Sequence, residues 1–101
     1  MEIWQTREGD LSTIYVKGDI DEHTAPEIRV FADRVIDEGV KNLVFCLRYV
    51  DFMDSTGIGM LLGRFKTCKK KNARLFVKDV NARIDKIFKL SGIYQVVPLI
   101  R

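Results

Sequence analysis

Leu43-Val44-Phe45-Cys46-Leu47-Arg48-Tyr49-Val50-Asp51-Phe52-Met53-Asp54-Ser55-Thr56-Gly57-Ile58 starts as an unbroken apolar run and ends at the mouth of an amphipathic helix. An apolar run of strand length without polar alternation, here Leu43 to Leu47, reads as a central strand covered on both faces, the pattern of a parallel sheet. The polar break from Asp51 to Gly57 ends it. Ile58, Leu61, Leu62, Phe65 and Cys68 then recur at helical spacing, and Lys69, Lys70 and Lys71 suit the negative end of the helix dipole. The spacing predicts a helix from Thr56 to Lys71.

The chain before this unit reads as a hairpin followed by a helix. Trp4 to Arg7 and Leu11 to Lys17 flank Glu8-Gly9-Asp10, a connection suited to two antiparallel strands. Thr24 and Glu27 have capping-box spacing, with Pro26 in the first turn. Ala25, Ile28, Phe31, Ala32, Val35 and Ile36 form one apolar stripe, and Gly39 supplies the stop, so a helix is expected from Ala25 to Glu38. Beyond the central unit, Leu75 to Val77 reads as another short parallel strand. Asn81 is the expected cap of a third helix, which places Ile84, Ile87, Phe88 and Leu90 on its inner face and ends at Gly92. Tyr94 to Ile100 is expected as a last strand, with Pro98 tolerated at an edge. The order β-β-α-β-α-β-α-β gives an α/β fold with a mixed sheet and right-handed crossovers.

The 101 residues suffice for one domain spanning 1–101, with 47% apolar and 31% charged residues in ordinary globular proportion. No apolar stretch reaches the ~18 residues of a membrane span, and Met1 to Gln5 lacks the pattern of a signal peptide. A cytoplasmic location and no membrane partner are the expectations. Cys46 and Cys68 read as buried free thiols, because they lack C-x-x-C spacing and His23 is the only histidine; no metal site is expected. Seventeen Lys and Arg against 14 Asp and Glu leave a net charge of +3. The basic residues gather between Arg64 and Arg74, and the acidic ones lie around Asp19, Asp21, Glu22, Asp51 and Asp54. A lysine-rich last helical turn without an aromatic platform reads as a solvated face, so no direct nucleic-acid partner is expected.

Three glycines, Gly57, Gly59 and Gly63, fall inside or at the mouth of the second helix, where each costs about 1 kcal/mol relative to alanine. Close packing or a partner's approach must offset this, packing being the more natural explanation for Gly63 than for Gly57 and Gly59. Ser55 stands at or next to the helix cap, where unpaired N–H groups and the dipole favour an anion. On the residues alone it is either a plain N-cap or an anion site.

Phe52-Met53-Asp54-Ser55-Thr56-Gly57-Ile58-Gly59, continued by Gly63-Arg64-Phe65-Lys66, resembles the signature of the STAS domain, in particular the anti-sigma factor antagonists of the sporulation and stress-response type. Gly18-Asp19-Ile20-Asp21-Glu22-His23-Thr24-Ala25 is similar to the family's second motif, and Leu90-Ser91-Gly92-Ile93 to its third. The resemblance implies a non-enzymatic binding domain without a cofactor. Unmodified, such a domain binds an anti-sigma factor with serine kinase activity and so releases a sigma factor. Phosphorylation, here on Ser55, inactivates it, and a phosphoserine phosphatase restores it. By the same resemblance Asp54 is the motif aspartate before the acceptor, Asp21 an acidic residue of the partner-binding loop, and Thr56 the less favoured hydroxyl. Thr56, Gly57 and Gly59 join Asp21 and Asp54 in the expected partner surface. Two features depart from the family pattern: the sequence stops at Arg101, where the family has a further helix, and its net charge is basic. The alternative is a STAS-type scaffold or nucleotide-sensing regulatory domain that does not act on a sigma factor.

Other chemistries fit less well. Asp54-Ser55-Thr56-Gly57 lacks the G-x-S-x-G elbow of a serine hydrolase, with His23 the only available base. Gly57-x-Gly59-x-x-x-Gly63 matches neither a dinucleotide nor a Walker loop. A receiver-type phospho-aspartate site at Asp51 and Asp54 requires a helix between the first two strands, for which Glu8-Gly9-Asp10 is too short.

Overall fold

The computed structural model describes residues 1–101. Its elements are β1 (Glu2–Glu8), β2 (Leu11–Lys17), α1 (Ala25–Asp37), β3 (Asn42–Tyr49), α2 (Ser55–Lys70), β4 (Arg74–Lys78), α3 (Ala82–Ser91), a 3-10 turn (Ile93–Gln95) and β5 (Leu99–Ile100). The sheet order is β1-β2-β3-β4-β5, with β1 and β2 antiparallel and every later pair parallel. Each crossover therefore adds its strand on the same side of the one before. Right-handed connections then place all three helices over one face of the sheet.

The alternation of β2, β3 and β4 fits that arrangement. Ile14, Val16, Leu43, Phe45, Leu47, Leu75 and Val77 join Ile28, Ala32, Leu61, Ile84 and Phe88 in one buried cluster. Val44 and Cys46 are also buried, though outside that cluster, so the apolar run of β3 is covered on both faces as its composition predicts. Cys46 and Cys68 are free and buried. Trp4 stacks on Tyr15 with ring centroids 5.4 Å apart and tilts against Tyr49 at 5.9 Å. No helix is long and apolar enough to cross a membrane.

Several expectations need correction. The segment from Tyr94 to Ile100 is not one strand. Gly92 turns left-handed at φ 77°, the Ser91 hydroxyl accepts from Ile93 N at 3.2 Å, and Val96 and Val97 N–H both donate to the Ile93 carbonyl. These bonds wind Ile93–Gln95 into a 3-10 turn, and only Leu99–Ile100 pairs with β4. Leu90 is 81% exposed, because the inner face of this ten-residue helix is filled by Ile84 and Phe88. Thr24 occupies the N-cap position of α1 but makes no capping hydrogen bond, since its hydroxyl is engaged in the preceding loop. On α2 the helix starts one residue early, at Ser55, and the cap is Asp54.

Candidate functional site

The C-terminal ends of β2, β3 and β4 face one end of the sheet, the end at which open parallel sheets carry their sites. Backbone bonds tie the loops there together. Ile20 and Met53 form an isolated parallel bridge, Ile20 N donates to the Phe52 carbonyl at 2.9 Å, and Asp54 N donates to the Ile20 carbonyl at 3.2 Å. Asn81, while capping α3 through Ile84 N at 2.9 Å, also donates its Nδ2 to the Val50 carbonyl at 3.0 Å. The loop holding Asp21 is thus fixed beside the loop holding Asp54 and Ser55, although some thirty residues separate them in sequence.

Asp21 is held by its own loop. Its Oδ1 accepts from His23 N at 2.9 Å and Thr24 N at 3.2 Å, while the Thr24 hydroxyl donates to the Asp19 carbonyl and accepts from Asp21 N. The His23 N–H, opposed by partial burial and helped by the Thr24 N–H, keeps the Asp21 carboxyl below its ordinary value. A local Asx turn therefore replaces the capping box expected from Thr24 and Glu27. It presents an ionised carboxylate in a fixed direction.

Asp54 caps α2 from an extended backbone conformation. Its Oδ1 accepts from Thr56 N at 2.8 Å, and its carbonyl accepts from Gly57 N at 3.0 Å. Ser55 is the first helical residue, and both Ser55 and Thr56 are exposed. The sequence reading has a phosphate well received here by free N–H groups. Two of those groups are already taken by Asp54, so an anion on Ser55 has the helix dipole in its favour and the Asp54 carboxylate against it.

The glycines divide differently from the sequence expectation. Gly57 is buried, and a Cβ placed on it meets the Met53 Cγ, the Met53 Sδ at 2.7 Å and the Ile20 Cγ2 at 3.1 Å. It serves the packing beneath the bridged loops. Gly59 is exposed, and neither it nor Gly63 has any atom within 4 Å of an added Cβ, so packing explains Gly57 and not Gly63. His23 lies exposed at the loop surface, with its Nε2 3.8 Å from Glu22 Oε1.

The sequence reading missed Arg64 as a buried group. Only 7% of it is exposed, and its Nε lies 2.9 Å from Asp33 Oδ1 on α1. The signal was present: Gly57, Leu61, Arg64 and Cys68 follow the three-to-four spacing of the face that α2 buries.

The STAS domain family matches residues 4–101. The anti-sigma F factor antagonist of Paenibacillus polymyxa is 31% identical over 87 residues, covering 85% of this chain and 74% of that protein. The anti-sigma-B factor antagonist of Bacillus subtilis is 30% identical over 86 residues, covering 85% of this chain and 78% of that protein. Among solved structures, that of the anti-sigma factor antagonist SpoIIAA in its unphosphorylated form superposes with a TM-score of 0.84 at 22% identity, over 99% of this chain and 89% of that one, a likeness of fold.

Proposed function

The chain belongs to the STAS domain family, and on that premise we propose that it is an anti-sigma factor antagonist switched by phosphorylation of Ser55. In this reading the unmodified protein docks on an anti-sigma factor that is also its serine kinase, and thereby frees a sigma factor. A phosphoserine phosphatase reverses the modification. The relatives of similar length are named for this antagonism. The observation that carries the reading to Ser55 is its position: exposed, first in α2, directly after the capping Asp54, and beside the loop of Asp21.

The partner surface in this reading comprises Asp21, Asp54, Thr56 and Gly59, with Gly57 shaping it from below. Asp21 offers a pre-oriented carboxylate to a cationic partner group, and bare Gly59 lets a partner backbone come close to the helix. A phosphoserine adds about −1.5 to −2 charges at pH 7. Two unit charges ~7 Å apart repel by about 0.6 kcal/mol in water, and by severalfold more once a partner has excluded the water. The free domain tolerates such a charge at its exposed helix start, whereas a docked interface does not. The switch is thus local charge, without refolding.

Incubation with the cognate kinase and ATP, followed by mapping of the product by mass spectrometry, tests the acceptor. The expected result is one phosphate on Ser55 and none in Ser55→Ala. Phosphate found mainly on Thr56, or undiminished in Ser55→Ala, contradicts it.

A further inference from the structure

Helices α1 and α2 leave a groove of about 460 Å³ between them, bounded on one side by Ala25 and Arg29, with Glu22 its one acidic lining residue, and on the other by Thr56, Gly59, Gly63 and Arg64. Two features of this groove are unexplained by the fold. Gly59 and Gly63 lie within α2 with open space where a side chain would stand, so each gives up about 1 kcal/mol of helix propensity without gaining a packing contact. Their missing side chains keep the groove open. The second feature is Arg64, whose side chain is more than nine-tenths buried in the groove wall. The 2.9 Å approach of its Nε to Asp33 Oδ1 lacks the alignment of a directed hydrogen bond, and its Nη1 has no acceptor at all.

Both nitrogens are closed to solvent, so a group in the groove meets Arg64 as a buried, under-compensated positive charge, which is expensive to leave so. Burial disfavours the charged form of Arg64, Asp33 opposes this, and the charge of Arg29, exposed on the opposite wall, adds to the cost, with Cys68 a smaller counterweight. Half-exposed Asp33 is the carboxylate in contact with the Arg64 guanidinium, and Arg29 is in no ion pair. We propose that the α1–α2 groove binds a small-molecule oxyanion, a phosphate- or carboxylate-bearing metabolite, between the guanidiniums of Arg29 and Arg64. The planar donor fork of arginine suits either group. Its volume falls within the ordinary range for small-ligand sites. Arg64 lies eight residues beyond Thr56, about 12 Å along the helix, so the anion sits away from Ser55, although the groove's other end reaches Thr56 and Gly59 of the proposed partner surface.

The test uses the full chain, isotope-labelled and titrated at constant ionic strength with inorganic phosphate, pyrophosphate or succinate in separate arms. At least one probe is expected to give saturable shifts at the Gly59 and Gly63 amides and the Arg64 Nε–H. Saturation by the phosphates alone identifies a phosphate ligand, and saturation by succinate alone a carboxylate one. Arg29→Gln, at an exposed position, should weaken binding by about tenfold. Gly63→Leu, which fills open space, should abolish it with the thermal melt retained. No saturable shift from any probe, shifts centred on Lys69 to Lys71, or unchanged affinity in Arg29→Gln each overturns the proposal.

Discussion

Gly57→Ala and Gly63→Ala are the same chemical change on one helix, and the structure predicts opposite signs. Replacing glycine by alanine in a helix interior gains up to about 1 kcal/mol. At Gly63 nothing lies within 4 Å of the new methyl, so most of this gain survives, about 0.5–1 kcal/mol. At Gly57 the methyl meets the Met53 Cγ and Sδ and the Ile20 Cγ2. Met53 is flexible in principle, but it is 1% exposed and Ile20 is fully buried, so neither side chain has free space to enter. Overpacking of this kind costs about 1–3 kcal/mol, and the first-turn position of Gly57 reduces the helix gain that offsets it. The net expectation is a loss of about 1–2 kcal/mol. Urea unfolding followed by circular dichroism measures both, and 1 kcal/mol corresponds to a shift of about 4–8 °C in Tm for a domain of this size. Because Met53 and Ile20 form the bridge between the two site loops, Gly57→Ala should also weaken partner binding, whereas Gly63→Ala leaves it intact. A stabilised Gly57→Ala, or a destabilised Gly63→Ala, refutes the division of the glycines.

Three further outcomes follow from the packing. Asp33→Asn removes the only anion beside buried Arg64, and with Asp33 itself half-exposed the expected loss is about 2 kcal/mol by chemical denaturation. Burial pushes the Cys68 thiol from 9.0 up to about 11. The thiol's neutral form is favoured in the folded state, so its contribution is intact below pH 9 and is lost as the pH rises toward 11, where the unfolded chain ionises first. A stability–pH profile should fall across that window with a shallower slope in Cys68→Ala; equal slopes contradict the assignment. Leu90→Lys should change the unfolding free energy by less than about 0.5 kcal/mol, given 81% exposure of Leu90.

Local sequence signals located the elements whose cause is local. Asn81 and Gly92 bound α3 as a side-chain cap and a left-handed stop, and the unbroken run from Leu43 marks the sheet centre. Features with a tertiary cause were hidden. Nothing in the spacing of Gly57, Gly59 and Gly63 tells which one faces Met53, because Met53 is placed there by the bridge to Ile20. Arg64 reads as surface by composition and is buried because α1 packs beside it. The turn after Gly92 defeats the apolar pattern of Tyr94 to Ile100, since Ser91 and Ile93 offer the backbone acceptors before a sheet partner can. At the site, the motif names Asp54 and Ser55, but only the geometry separates the capping Asp54 from the exposed Ser55 after it.

The central claim is that a charge on Ser55 removes the partner without altering the domain. Calorimetric titration of the cognate anti-sigma kinase with the Ser55-phosphorylated and unmodified proteins, alongside circular dichroism of each, tests it most directly. The account predicts superimposable spectra and at least a hundredfold weaker binding of the phosphorylated form, a difference of about 2.7 kcal/mol. Equal affinities, or a phosphorylated protein that has lost its fold, would contradict it.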